Sequence, residues 1–459
     1  MEAAPAERPP TAAPESGLGA YFKFAERGTD LLTEARAGLT TFLVMAYIIF
    51  LNPAILKNAG IDVPAAAAAT ALVAGVMTIA MGAISNYPLA IAAGLGINGV
   101  VAFGLVLGRG LTLPGAMGVI VLEGLVITIL VVVGAREAIM NAVPLALKRS
   151  IGVGIGLFIL FIGFFNGGLI TSPKGGVPPV VPVYPTTTAH FVFLIGLAIT
   201  IALYSMKLRG ALIISIAATT IIAILAGVQT IPSNLAVTPS FATLGQFSLT
   251  EPFQKLGVLT ALLVIFTIML TDFFDTMGTA TGVIAEGGLA NDDGSIPGIG
   301  RILLVDSLAA AAGGAAGISS NTTFIESAAG VADGARTGFA SIVTGVLFLL
   351  AIFLSPLAGL VPAVATSPVL VLVGYLMFTL VRDIPFDDFE EGLPALLTLI
   401  LMPLTYDITV GIGAGFIAWV FIKVVRGKFS QIPALMWVVA ADFAVFFAQD
   451  WIQGYLPKV

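Results

Sequence analysis

Ala93-Gly94-Leu95-Gly96-Ile97-Asn98-Gly99-Val100, AGLGINGV, matches G-x-G-x-x-G letter for letter. In a soluble α/β protein that spacing opens a dinucleotide site, with a strand before it, a helix after it and an acid about 20 residues on. The flanks here argue otherwise. Asn86-Tyr87-Pro88 stands upstream, Val119-Ile120-Val121-Leu122 occupies the place of the acid, and the nearest carboxylate is Glu123. The glycines must therefore be read against the whole chain. Of its 459 residues 58% are hydrophobic and 10% charged, where a soluble domain carries about 25% charged residues. One large soluble core cannot absorb that excess, because cores stop growing near about 250–300 residues. Lipid must cover much of the surface.

Other classes fall away on composition. Net charge is −6 with Lys and Arg scattered, so no basic block points to nucleic acid. The chain has no cysteine, which excludes a disulfide framework, a thiolate metal site and a cysteine nucleophile. Its one histidine, His190, opens an apolar run, where an interfacial position is expected. Nothing implies a cofactor or a metal. Residues 1–20 are Pro- and Ala-rich without an apolar core, predicting a disordered tail rather than a signal peptide. Residues 21–36 mix Phe22, Phe24, Leu31 and Leu32 with charges, predicting an amphipathic segment at the membrane surface.

From residue 37 onward, apolar runs near the ~20 residues of a crossing follow one another. Two are too short to span, after Gly99 and around Glu326, and both follow Gly-, Ser- or Thr-rich backbone. Irregular backbone at membrane depth is tolerated only where protein shields it or it lines a cavity. Lys23, Arg27, Arg36, Lys148, Arg149, Lys207, Arg209, Lys423, Arg426 and Lys428 cluster on one side, while Lys57, Arg109 and Lys174 stand alone on the other. The positive-inside rule then places the N-terminus in the cytoplasm of a multi-pass protein of the cell (inner) membrane.

The chain also repeats itself. Thr40 to Ala46 precedes the glycine stretch much as Thr271-Asp272-Phe273-Phe274-Asp275-Thr276-Met277 precedes Ser319-Ser320-Asn321-Thr322-Thr323-Phe324-Ile325-Glu326. A full span and a Val-Pro follow each irregular stretch. Seven elements followed by seven of opposite parity make an inverted repeat, as in many secondary transporters. The fold expected is an all-α integral membrane protein of about 14 transmembrane segments, 7+7, with two half-helix elements preceded by short extended segments. Its parts are a core of 37–134 and 255–356 and a gate of 138–228 and 359–450. The run at 432–450 is surplus to that count. The glycine stretch then has a different purpose: it lets packed segments approach closely at the midplane and starts a half-helix.

Ionisable groups inside a membrane cost about 2.5–3.5 kcal/mol on insertion scales, so those present are informative. Glu326 is expected in the first turn of the second half-helix, where the dipole favours its charge. Asp272, Asp275, Thr276 and Thr279 fall at i, i+3, i+4 and i+7 on one helical face, with Gly278 and Gly282 giving the helix room to pack closely. The two aspartates suit either proton coupling or a polar clamp between helices. Asn98 can donate and accept, which suits a heterocycle, or it caps the half-helix backbone. Glu123 reads as part of a structural network between helices and Asp407 as a helix cap. Asp306 is assigned no role. Phe, Thr and Asn near Glu326 suit a flat, polar, uncharged ligand.

GLGING, DFFDTMGTATGV and SSNTTFIESAAGVADGARTG resemble the signature segments of AzgA-type purine permeases, a branch of the nucleobase–cation symporters akin to uracil and xanthine permeases. The resemblance runs over nearly the whole chain after residue 20. It implies fourteen segments in core and gate domains, with gate-domain homodimers, and uptake of adenine, guanine or hypoxanthine with protons. It implies that Glu326 holds the base and that Asp272 and Asn98 contact it. Phe324 and Ile325 would offer backbone groups, with Thr276 and Thr323 beside them, and Glu326, Asp272 and Asp275 would be available for the proton. One departure stands out: the related uracil permease has a histidine where this chain has Thr276, so proton relay must use carboxylates or water. Sulfate and bicarbonate transporters share the architecture, but acids facing the site would repel anions. An aspartyl hydrolase is disfavoured, because two acids on one helix do not face each other across a substrate.

Overall fold

The computed structural model describes residues 17–134, 143–173, 180–231, 238–291 and 295–455. Lys174, most of the N-terminal tail and the first residues of the stretch from 138 lie outside the described residues. In lipid an apolar segment must satisfy its own backbone, and a helix does this within one segment. Among the described residues nine helical stretches are long and apolar enough to cross a bilayer, and three shorter apolar helices accompany them. The protein is a multi-pass helical membrane protein.

The first crossing joins α2 (Leu31–Met45) and α3 (Ile48–Leu56). Asp30 caps α2, accepting from Leu32 N–H at 2.9 Å and Thr33 N–H at 3.0 Å. The hydrogen bonds from Thr33 hold its carboxyl below the ordinary range. The helix therefore starts inside the 21–36 stretch expected to lie along the surface. Ahead of it, α1 (Leu18–Phe22) and the turn after it bury Phe22 and Phe24 against Phe339.

Next come α4 (Val63–Ser85), strand β1 (Ile91–Ala93), the short helix α5 (Leu95–Gly99), a π-helical stretch (Val100–Gly108) and α6 (Leu113–Val132). Then follow α7 (Leu145–Asn166), the two-residue strands β2 (Ile170–Thr171) and β3 (Val181–Pro182), α8 (Thr188–Ser205) and α9 (Ala211–Leu225). His190 sits half-buried in the first turn of α8, its Nδ1 accepting from Thr186 N–H at 3.2 Å. The second half runs through α10 (Glu251–Leu256), α11 (Val258–Glu286) and α12 (Ile299–Ala315) to strand β4 (Asn321–Thr323) and α13 (Ser327–Ala332). It continues with α14 (Gly338–Ala351), α15 (Ala363–Phe378), α16 (Phe389–Thr405), α17 (Ile408–Val425) and α18 (Ala434–Tyr455). The run at 432–450 is thus helical, α18, and packs on α17 and α11.

Two sets of helices pack most extensively. In one, α14 lies on α4 and α2, α12 on α6 and α4, and α11 on α6. In the other, α15 lies on α7 and α8, α16 on α7 and α17, and α9 on α8. Gly82 and Gly338 let α4 and α14 meet backbone to backbone, where a Cβ on either would collide with the other chain. Glu34, fully buried on α2, caps α14 across that contact, accepting from Arg336, Thr337 and Ala340 N–H at 2.7, 3.1 and 3.2 Å. A buried carboxylate on a helix N-terminus has its charge met by donors and dipole together.

Candidate functional site at the paired strands

The two irregular stretches meet. β1 and β4 pair antiparallel, Ile91 opposite Thr323, Ala92 opposite Thr322 and Ala93 opposite Asn321. Gly94 N–H to Ser320 O and Phe324 N–H to Ala90 O, both 2.9 Å, extend the pair at each end. A short strand pair satisfies the backbone that a helix would otherwise satisfy, which explains how extended chain survives here.

Side chains from neighbouring helices hold each strand. Thr78 of α4 both accepts from Ile91 N–H, at 2.9 Å, and donates to Ile91 O, at 3.0 Å. On β4 the anchor is Asp306 of α12, almost fully buried. Its Oδ1 accepts from Thr323 N–H at 2.9 Å and Thr323 Oγ1 at 2.8 Å, and its Oδ2 accepts from Thr276 Oγ1 at 2.6 Å. Thr276 Oγ1 also lies 2.7 Å from Thr322 Oγ1. Asp306, assigned no role from sequence, thus organises the second strand. Thr276 and Thr323 spend their hydroxyls on it and are buried, so they position the strand instead of facing an open side.

The α11 face expected to carry four polar groups divides. Asp272 and Thr276 are buried, while Asp275 and Thr279 are half-buried on the neighbouring edge. Asp272 Oδ2 accepts from Ser320 Oγ at 3.1 Å. Gly278 and Gly282 do not serve close packing. Nothing lies within 4 Å of a Cβ built on Gly278, and Gly282 meets only the tip of Ile325, at 4.0 Å. The glycines keep an open face beside Asp275.

Glu326 borders that face. It stands at the N-cap position of α13 instead of within its first turn, and α13 is only six residues long. The dipole of so short a helix is weak. Its carboxylate is held instead by Tyr47, whose Oη donates to Oε1 at 2.5 Å. Asp275 lies near enough to feel its charge. Ile325 is 54% exposed beside it. Phe324 is buried with its N–H and C=O both used within the protein, whereas Ile325 N–H makes no backbone hydrogen bond. Asn98, on α5, is fully buried and neither amide atom has a hydrogen-bond partner. The structure therefore gathers Glu326, Asp275 and Ile325 at an open edge, with the fully buried Tyr47 holding Glu326 from within. It places Asp272, Thr276 and Thr323 behind them.

A cleft of about 480 Å³ lies elsewhere, at the far end of the π-helical stretch, lined by Phe103, Leu107, Arg109, Tyr406 and Asp407 among others. Asp407 caps α17, as expected, and also pairs with Arg109 at 3.2 Å. Tyr406 rests against Phe103, Phe158 and Phe161 with centroids 5.0–5.7 Å apart. The cleft shares no lining residue with the group around Glu326 and carries one matched ion pair, so the converging acids, not this cleft, make the candidate site.

The permease family model Xan_ur_permease matches residues 33–414. The chain belongs to this permease family. It is accordingly a membrane transport protein and not an enzyme. Among similar permeases, the guanine/hypoxanthine permease PbuG of Bacillus subtilis is 38% identical over 93% of this chain and 98% of its own length. The adenine permease AdeQ of Escherichia coli is 37% identical over 94% and 96%. In fold, this permease is similar to the transmembrane domain of the cyanobacterial bicarbonate transporter BicA, with a TM-score of 0.63, 15% identity, and 83% and 97% of the two chains covered.

Proposed function

We propose that this permease imports purine nucleobases, adenine, guanine or hypoxanthine, together with protons, by alternating access. The observation that carries the reading is Glu326, held by Tyr47 at the edge of an open face at the meeting of the two interrupted crossings. A purine presents N–H groups on a flat ring. A carboxylate in low dielectric accepts from them more strongly than water does. Ile325 N–H and Asn98 supply further polar groups of both kinds. Relatives named for adenine and for guanine/hypoxanthine support the same substrate class.

We read the two packing sets as a core of 37–134 and 255–356 and a gate of 138–228 and 359–450, within fourteen segments arranged 7+7. Opposite ends of the core are tied to the gate by ion pairs: Arg109 to Asp407 at one, Asp333 to Arg209 at 2.8 Å at the other. Asp333 also pairs with Arg36 at 3.5 Å, near the start of α2, and Gly287 at the end of α11 lies beside Val331. The open glycine face thus runs toward the N-terminal side. With the N-terminus in the cytoplasm of the inner membrane, that face looks inward beside the Asp333–Arg209 pair, while aromatic rings and the Arg109 pair narrow the outer side. The acids Glu326, Asp272 and Asp275 are the candidates for carrying the coupling proton, and gate helices form the homodimer.

The BicA-like fold alone raises an anion as the cargo, but fold does not set substrate. Glu326, Asp275 and Asp272 would oppose an anion. The test is uptake of labelled hypoxanthine in a strain lacking its own purine permeases, competed by adenine, guanine, xanthine and uracil. Saturable uptake blocked by purines is expected, and Glu326→Gln should abolish it. Normal uptake and affinity in that variant would defeat the assignment. So would thermal stabilisation by sulfate and by no purine.

A further inference from the structure

Glu123 stands in the middle of α6, in Val121-Leu122-Glu123-Gly124, and is fully buried. Its carboxyl group faces that of Asp272, also fully buried, where α6 packs on α11. Neither Glu123 oxygen, nor Asp272 Oδ1, makes a hydrogen bond of ordinary geometry. The other charged groups that reach the pair are themselves acids, Asp306 from α12 and Asp275 on α11. Charged residues elsewhere on the packed elements are engaged or distant. Lys255 pairs with Glu251 at the Thr112 end of α6, Arg109 with Asp407, and Lys423 with Glu390. Arg301 is exposed at the start of α12, and Glu286 is exposed at the end of α11.

Two carboxylates side by side, out of water and without a cation, are too costly to keep ionised together. One proton between them removes the repulsion and supplies a hydrogen-bond donor. The pair is not needed to dock α6. Gly124 packs directly on Ala311 of α12, and Thr128 Oγ1 bonds Ser307 Oγ at 3.1 Å one turn on.

We propose that Glu123 and Asp272 form a single proton-binding site, separate from Glu326, and that this site carries the coupling ion. The inference rests on the purine-transport reading and sharpens it. The proton enters the pair from outside with the purine and leaves to the inside, with no other bond made or broken. Ser320 links the pair to both interrupted crossings: its hydroxyl donates to Asp272 Oδ2 and its carbonyl accepts from Gly94 N–H. From Ser320 the chain leads directly through β4 to Glu326. Losing the proton sets two negative charges face to face at the root of that strand, so the state of the pair is felt where the purine binds.

The test uses purified full-length protein in liposomes, with labelled hypoxanthine and adenine as probes. Glu123→Gln keeps the volume and mimics the protonated acid. It should retain purine counterflow, with affinity within about twofold of wild type. Accumulation driven by a pH gradient should fall by about tenfold or more, and proton uptake accompanying purine should vanish. A Glu123→Gln protein that still accumulates purine under a pH gradient overturns the proposal. So does loss of counterflow along with accumulation, which would assign Glu123 to binding or folding. Wild-type protein without counterflow of either purine would defeat the transport reading itself. Wild-type accumulation driven by a sodium gradient and not by pH would defeat only the proton site.

Discussion

In the first interrupted crossing, the strand is Ile91-Ala92-Ala93, all apolar, and one hydroxyl, Thr78, anchors it. In the second, the strand is Asn321-Thr322-Thr323, all polar, and a carboxylate, Asp306, anchors it through two bonds to Thr323 while a third ties it to Thr276 of α11. Beyond the first strand Asn98 is buried without a partner; beyond the second Glu326 is half-buried and held by Tyr47. Each crossing then ends in an ion pair to the other packing set. The first contributes a cation, Arg109, and the second an anion, Asp333. The same backbone device is thus finished as a neutral wall on one side and a charged, hydrogen-bonding wall on the other. On the proposed reading, a purine held between them would be oriented by the second and shaped by the first.

The largest expected effect tests the anchors. Asp306→Ala leaves three donors, two on Thr323 and one on Thr276, without this acceptor, and each buried orphan costs about 1–3 kcal/mol. Thermal melting of the purified protein should show a loss of about 3 kcal/mol or more, well beyond that of Thr78→Val. Equal losses would erase the asymmetry between the strands.

Next come the ligand contacts. Glu326→Gln should weaken purine binding by about 100-fold, the scale of a lost hydrogen bond to a charge, while Asn98→Ala should cost about tenfold or less. Titration calorimetry with hypoxanthine and adenine decides, and the reverse order would hand the orienting role to the first crossing. Tyr47→Phe removes the one phenol that fixes the carboxylate and should weaken binding by about three- to tenfold with the fold intact.

The smallest effect concerns the closures. A partly exposed ion pair is worth about 0.2–1 kcal/mol, so Asp407→Asn should raise outer accessibility only about two- to fivefold. Because the chain has no cysteine, a single Gly104→Cys probe labelled by an impermeant maleimide reads this directly. No increase would show that the Tyr406 ring cluster closes the outside without the ion pair.

Much of this was legible in the residues alone. Hydropathy named the helices because lipid leaves a backbone few other choices, and the two breaks, AGLGINGV and SSNTTFIES, stood out against it. The acids at 272, 275 and 326 were singled out because charge inside a membrane is rare. Spacing on one helix could not say which neighbour each face would meet. It took the packing of α12 on β4 to make Asp306 an anchor, and of α6 on α11 to set Glu123 against Asp272. It took the open side of α11 to turn Gly278 and Gly282 from packing residues into an approach. The sequence by itself determined that this chain lives in a bilayer, where it breaks and which of its acids are out of place, since those follow from solvation of single segments. Which acid is bound, which is paired and which faces the open edge depends on contacts between segments hundreds of residues apart, and only the tertiary structure decided it.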